Sequence, residues 1–203
     1  SESGQCGNGA KCVARYYFDK YCKNKKEINI ETKTSKMTLR QMARKKIEVD
    51  MGAPIFSPKE FIKKNKVFKY KNRKYNFYTA SIGNPHAIFS VSSIKKINIK
   101  EFSENFNNKN FFKNGVNISI IENINTNNWS ARIFERGSNE TNACGSAACA
   151  ISACLKQFNK NIKTTNYVHM QGGKAQVKWS GTKDDSVYLI GEASYVFEGV
   201  YII

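Results

Sequence analysis

Two short runs in this 203-residue chain each combine a thiol, a glycine and the opening of a helix. The first is Gln5-Cys6-Gly7-Asn8-Gly9-Ala10-Lys11-Cys12, and the second is Ala143-Cys144-Gly145-Ser146-Ala147-Ala148-Cys149. Apolar residues at helical spacing follow both: Val13, Ala14, Tyr16, Tyr17 and Tyr21 after the first, Ala150, Ile151, Ala153, Cys154 and Leu155 after the second. A helix start leaves its first N–H groups without internal partners and carries partial positive charge. A cysteine there is expected to have its thiolate favoured, its pKa falling from about 8.5 toward neutrality. Gly7 and Gly145 are expected to let the backbone approach a ligand closely, with the following N–H groups holding a carboxylate. Either turn alone reads as a plain helix cap with a filler cysteine. The pair reads as a cleft with one thiol on each side of a bound carboxylate.

That arrangement fits one chemical problem, the inversion of an amino-acid α-carbon. The α-hydrogen is barely acidic, so a catalyst must remove a proton from one face and return one from the other. Two opposed thiols, one ionised and one protonated, suit this when their pKa values lie near working pH. Backbone donors at both helix starts would stabilise the charge that builds on the carboxylate. Such chemistry needs no pyridoxal and no metal, so no cofactor is expected. A nucleophilic thiol hydrolase wants one activated cysteine and a histidine base. His86 could serve it, but the second Cys-Gly turn would be left unexplained.

The elements that must position these turns read as strands and turns in alternation. In the first half, Glu27–Lys33 and Lys46–Met51 alternate like strands. In the second, Asn166–Met170, Ala175–Trp179 and Val187–Ala193 do so, with turn signals at Gly172-Gly173 and Ser180-Gly181. Between them Lys74–Ser81 and Ala87–Val91 flank Gly83-Asn84-Pro85-His86. Val116–Glu122 and Trp129–Phe134 flank an Asn-rich turn at Asn123–Asn128, and Lys95–Asn108 reads as a short helix and a polar loop. Pro54 and Pro58, just after Gly52, bracket a crossover. The expected fold class is α+β: two pseudo-symmetric lobes, each a mixed or antiparallel sheet around a central helix. Residues 1–52 plus 192–203 would form the amino-terminal lobe and 53–191 the carboxy-terminal lobe.

Composition narrows the remaining classes. The length allows one large domain or two small ones. Lysines and arginines number 33 against 16 acidic residues, a net charge of +17, which draws attention to anionic partners. Yet the lysines are spread along the chain beside many Asn and Ile. Basic runs such as Lys63-Lys64-Asn65-Lys66 are short and match no nucleic-acid module, so nucleic acid is not the expected partner. Cys6, Cys12, Cys22, Cys144, Cys149 and Cys154 form no C-x-x-C pair and have two histidines to assist them. Structural zinc is therefore not expected. No apolar run reaches the roughly 20 residues that span a bilayer, and no charged-then-apolar leader opens the chain. A cytoplasmic protein with no membrane partner is expected.

Four motifs, taken in order, resemble the diaminopimelate epimerase family. Ser1-Glu2-Ser3-Gly4-Gln5-Cys6-Gly7-Asn8-Gly9-Ala10-Lys11-Cys12 is similar to its first active-site turn, and Gly83-Asn84-Pro85-His86 to its central G-N-P-H motif. Val116-Asn117 stands where the family has a substrate-binding Asn. Glu135-Arg136-Gly137, then Glu140-Thr141-Asn142-Ala143-Cys144-Gly145-Ser146, looks like its E-R-G…E-T-x-A-C-G-[ST] signature. The resemblance implies interconversion of LL- and meso-2,6-diaminoheptanedioate in lysine and peptidoglycan synthesis. Cys6 and Cys144 would be the acid/base pair. Gly7, Asn8, Gly145 and Ser146 would hold a carboxylate, and Asn84, Asn117, Glu135 and Arg136 the rest of a diamino dicarboxylate substrate. Arg136 suits the distal carboxylate, because its planar fork grips two oxygens. Glu135 suits an ammonium and, with His86, would tune the thiols. Phe197 stands where a Tyr often sits at the family's dimer contact, implying a homodimer. Three departures accompany the resemblance. Ala147 replaces a usual glycine, Gln171 a usual proline, and the amino-terminal strands of family members are not among these 203 residues. A proline-racemase-like enzyme and a decayed, inactive family member are the alternative readings.

Overall fold

From Gly145 to Leu155 the chain is apolar or small on almost every side, and a helix of that kind must be enclosed. The computed structural model, which describes residues 6–21, 24–32 and 35–200, encloses it in a curved sheet. Cys22 and the residues before Cys6 lie outside the described residues. In chain order the elements are α1 (Gly7–Lys20), β1 (Glu27–Glu31), β2 (Lys36–Gln41), β3 (Lys46–Asp50), β4 (Val67–Tyr70), β5 (Arg73–Ser81) and β6 (Pro85–Ser90). There follow α2 (Ile99–Asn108), β7 (Asn117–Asn125), β8 (Asn128–Glu135), β9 (Asn139–Thr141), α3 (Gly145–Phe158), β10 (Thr165–Met170), β11 (Gly173–Lys178) and β12 (Tyr188–Glu192).

The described strands form a 12-stranded sheet in the order β1-β2-β3-β12-β11-β10-β8-β7-β6-β5-β4, with β9 on the flank of β8. The pairs β6/β7 and β8/β10 are parallel, and the other pairings are antiparallel. This is the expected α+β class, a large mixed sheet with few helices. The sheet bends so that α3 packs on β5, β6 and β7 with one side and on β10, β11 and β12 with another. Gly145 and every residue from Ala147 to Leu155 are buried. Helix α1 lies against β2, β3, β12 and α3 and buries one stripe, Gly7, Ala10, Ala14 and Phe18. Val13, Tyr16, Tyr17 and Tyr21 on its other side are exposed.

A second core sits beneath α2, whose Ile99, Phe102 and Phe106 face inward at helical spacing. Phe68 meets Phe102 and Phe106 edge to face at 5.1 and 5.2 Å, a geometry worth about 0.5–1.5 kcal/mol per pair beyond area burial. The segment expected as a short helix and a polar loop is therefore mostly helix, capped at Asn98 by a bond from the Glu101 N–H. Strand β12 bonds to β3 on one edge and β11 on the other, so the sheet runs unbroken between residues before 52 and after 53. Among the described residues, no helix is long and apolar enough to cross a membrane.

Candidate active site

Both Cys-Gly runs open helices as read. Cys6 is the N-cap of α1 and Cys144 the N-cap of α3, each in extended backbone conformation. The Gly9 N–H donates to the Cys6 sulfur at 3.3 Å, the capping bond an Asp or Ser would otherwise accept. A single side chain lies against both starts. A Cβ built on Gly7 would lie 2.8 Å from Leu189 Cδ2, and one built on Gly145 would lie 2.7 Å from the same atom. The Asn8 side-chain oxygen and backbone nitrogen lie 3.6 and 3.9 Å from that same Gly145 position. The first turns of α1 and α3 thus touch each other across the Leu189 methyl, with a thiol immediately before each. The missing Cβ of each glycine faces the core, and it lets both helix starts settle onto β12.

Sheet direction gathers the other residues around Cys144. Strands β6 and β7 are parallel and β8 runs against β7, so the starts of the first two and the end of the third share one edge. That edge carries Asn84 and His86 before and within β6, Asn117 at the start of β7 and Glu135 at the end of β8. His86 is fully buried. Its Nε2 is 2.9 Å from Asn84 Oδ1 and 3.2 Å from the Ser146 hydroxyl, which lies 3.5 Å from the Cys144 sulfur. Burial pushes the His86 pKa down to about 3, so the ring is neutral at physiological pH. Its Nδ1 has no partner among the described residues.

Cys144 departs from the expected helix-start behaviour. Burial pushes its thiol up to about 11, with the neighbouring Glu135 carboxylate adding to the rise and the Ser146 hydroxyl and Ala147 N–H opposing it. The helix start does favour a thiolate, but at 7% exposure the lost hydration outweighs it. Cys6, by contrast, is exposed. Ala147, where a glycine was expected, is fully buried, so its methyl packs into the core.

Thr141 donates to Glu135 Oε1 at 2.6 Å and holds that carboxylate in place. The Asn117 carboxamide oxygen accepts the Arg136 N–H at 2.8 Å, and the Arg136 guanidinium, exposed, donates to the Asn114 carbonyl at 3.0 Å. Asn117 therefore orients the Glu135-Arg136 turn as well as facing His86 across the β6/β7 pair. The turn at Gln171-Gly172-Gly173 supports the approach to Cys144, its Gly172 N–H donating to the Asn142 carbonyl at 2.7 Å. Phe197 lies outside this cluster, 85% exposed in the segment after β12.

Three residues near the thiols were not singled out from the sequence. Leu189 and Met51 looked like ordinary strand interior. Lys11 is half-buried beside a cavity of about 520 Å³ that Asn8 also lines. Burial lowers the Lys11 pKa, while Cys12, Cys149 and Cys6 pull the other way. Among the described residues, no three His, Cys, Asp or Glu side chains gather as a metal ion would require.

In fold, the chain is similar to a phenazine biosynthesis protein of the PhzF family from Bacillus anthracis. The TM-score is 0.71 at 18% identity, covering 99% of this chain and 77% of that one. It is similar also to a hydroxyproline epimerase from Agrobacterium vitis, with a TM-score of 0.69 at 12% identity over 93% of this chain and 64% of that one. In sequence, it is 35% identical to the diaminopimelate epimerase of Blochmanniella pennsylvanica, over 98% of this chain and 74% of that protein. It is 37% identical to that of Blochmanniella floridana, with the same coverage. The sequence profile described as diaminopimelate epimerase matches residues 78–196, more than half of the chain. By that match and by these relatives, the chain belongs to the diaminopimelate epimerase family and is an isomerase.

Proposed function

We propose that the protein interconverts LL- and meso-2,6-diaminoheptanedioate by proton transfer between Cys6 and Cys144, in the supply of lysine and of peptidoglycan precursor. The observation that carries the reading is the meeting of two thiol-bearing helix starts on one Leu189 methyl. A substrate carboxylate seated there takes the first N–H groups of both helices, which lack partners within their helices. One sulfur, as thiolate, takes the α-hydrogen, and the C–H electron pair delocalises into that carboxylate. The opposite sulfur, as thiol, gives its proton to the other face of the carbon. Each turnover leaves the two sulfurs with their protonation exchanged, ready for the reverse step. Cys144, whose burial keeps it protonated, is the donor in the resting protein.

Arg136 would grip the distal carboxylate and Glu135 an ammonium, while neutral His86 steadies Cys144 through the Ser146 hydroxyl. The test is exchange of the substrate α-hydrogen with solvent deuterium, followed by mass spectrometry. Cys6→Ser or Cys144→Ser each should lower exchange-coupled turnover by on the order of 10²-fold or more. Full turnover in both single variants would rule out the two-thiol mechanism. Proline and hydroxyproline belong in the same assay, because the fold neighbours include a hydroxyproline epimerase. We also propose a homodimer through the exposed Phe197. Sedimentation equilibrium should find a dimer that Phe197→Ala weakens, and a monomer at all concentrations would refute it.

A further inference from the structure

Proton transfer across one carbon needs two sulfurs held a fixed distance apart. Reacting atoms about 3–3.5 Å apart on each face set that distance, and a ~1 Å error costs on the order of 10²-fold in rate. Helices α1 and α3 are far apart in sequence, so some group must gauge the separation of their first turns. We infer that Leu189 is that group: a positioning residue whose single δ-methyl, wedged under both helix starts, determines how closely Cys6 and Cys144 approach. The inference rests on the two-thiol reading above.

Leu189 Cδ2 occupies the space that a Cβ on either glycine would need: a Cβ built on Gly7 would lie 2.8 Å from it and one built on Gly145 2.7 Å, closer than van der Waals contact allows. Its neighbours in register, Val49 on β3 and Val177 on β11, are as fully buried as Leu189 itself. Side chains paired across antiparallel strands share a face, so these two flank the leucine. Strand β12 is hydrogen-bonded along both edges, which fixes the backbone beneath. Met51 reaches Gly7 alone, with Sδ 3.0 Å from the built Cβ. Leu189 spans both.

A gauge predicts compensation that a plain core residue does not. Gly145→Ala puts a methyl where Leu189 already sits, so α3 must lift. Turnover in the intact protein should fall on the order of 10²-fold with KM changed only a few-fold. Adding Leu189→Val, which lacks the δ-methyl, should recover at least about tenfold of that loss. Leu189→Ala alone should lower kcat at least about tenfold. Leu39→Ala, in the same core beneath α1 and equally buried, should lose comparable stability with kcat within a few-fold of the parent. If the double variant is no better than Gly145→Ala, or Leu189→Ala keeps kcat as Leu39→Ala does, Leu189 is not a gauge. That failure is distinct from failure of the two-thiol reading, which would show as turnover in Cys6→Ser and Cys144→Ser.

Discussion

His86 makes the protein sensitive to acid, by an amount that can be worked out. Its ring is fully buried, and burial holds its pKa near 3, against about 6.5 in an unfolded chain. Between those values the unfolded chain binds a proton that the folded protein does not, so stability rises with pH across the window. The contribution is complete above pH 6.5 and is lost as pH falls toward 3. From pH 7.5 to pH 5, a range that spares most carboxylates, one such group removes about 2 kcal/mol of stability. The figure hardly depends on how far below 5 the folded value lies, because the folded imidazole is already neutral there. Urea denaturation of the parent and of His86→Gln at pH 7.5, 6.5, 5.5 and 5 gives the comparison directly. His86→Gln should be less stable at pH 7.5, because the smaller, flexible amide leaves part of the buried ring's volume empty. It should, however, lose about 2 kcal/mol less than the parent across the range. His169, whose pKa burial also lowers, titrates in both proteins and cancels in the difference. Equal losses in parent and variant would show that His86 is hydrated or protonated in the folded protein, and the account of the site around it would fall.

The thiols give a second set of outcomes. With Cys144 near 11, iodoacetamide at pH 8 should label the exposed Cys6 and Cys12 and leave Cys144 unmodified, as read by peptide mass mapping. Ser146→Ala removes a group that lowers the Cys144 pKa, so labelling of Cys144 should move to higher pH by up to about one unit. Glu135→Gln removes a charge that raises it, and the labelling curve should move by a similar amount the other way. Shifts of the same sign in both variants would contradict the assigned causes.

Legibility in the sequence followed how local each signal was. The helix starts at Cys6 and Cys144 were readable because glycine and helical spacing lie within a dozen residues. Strands such as Arg73–Ser81 and Asn128–Glu135 showed alternation strong enough to place within a residue or two. Strand β2 was missed although Met37 and Leu39 alternate inward, because Lys36, Thr38 and Arg40 made it look like a polar connection. Strand β9 was missed for a different reason. Its three residues pair with the end of β8, and Arg132 on β8 grips Glu140 at 2.7 and 2.9 Å. The Asn-rich turn was read too long, since β7 continues to Asn125 and β8 resumes at Asn128. Among site residues, the motifs named the thiols and their polar neighbours. Leu189 carried no signal, for a strand leucine in a core looks the same whether it touches one helix or two.

The two Cys-Gly runs look nearly equivalent as sequence, and packing is what makes them different. Helix α3 is walled on several sides by six strands, so its cap is drawn into the protein with it. Helix α1 buries one stripe, so its cap stays at the surface. One sulfur is therefore buried beside a carboxylate and a neutral histidine, while the other faces solvent and receives a backbone N–H. Under the two-thiol proposal a turnover needs one sulfur that holds a proton and one that takes it, since two thiolates could not deliver a proton and two thiols could not remove one. Depth within the fold supplies the protonated member, Cys144. It follows that mutations which expose Cys144 should impair turnover even when both sulfurs remain.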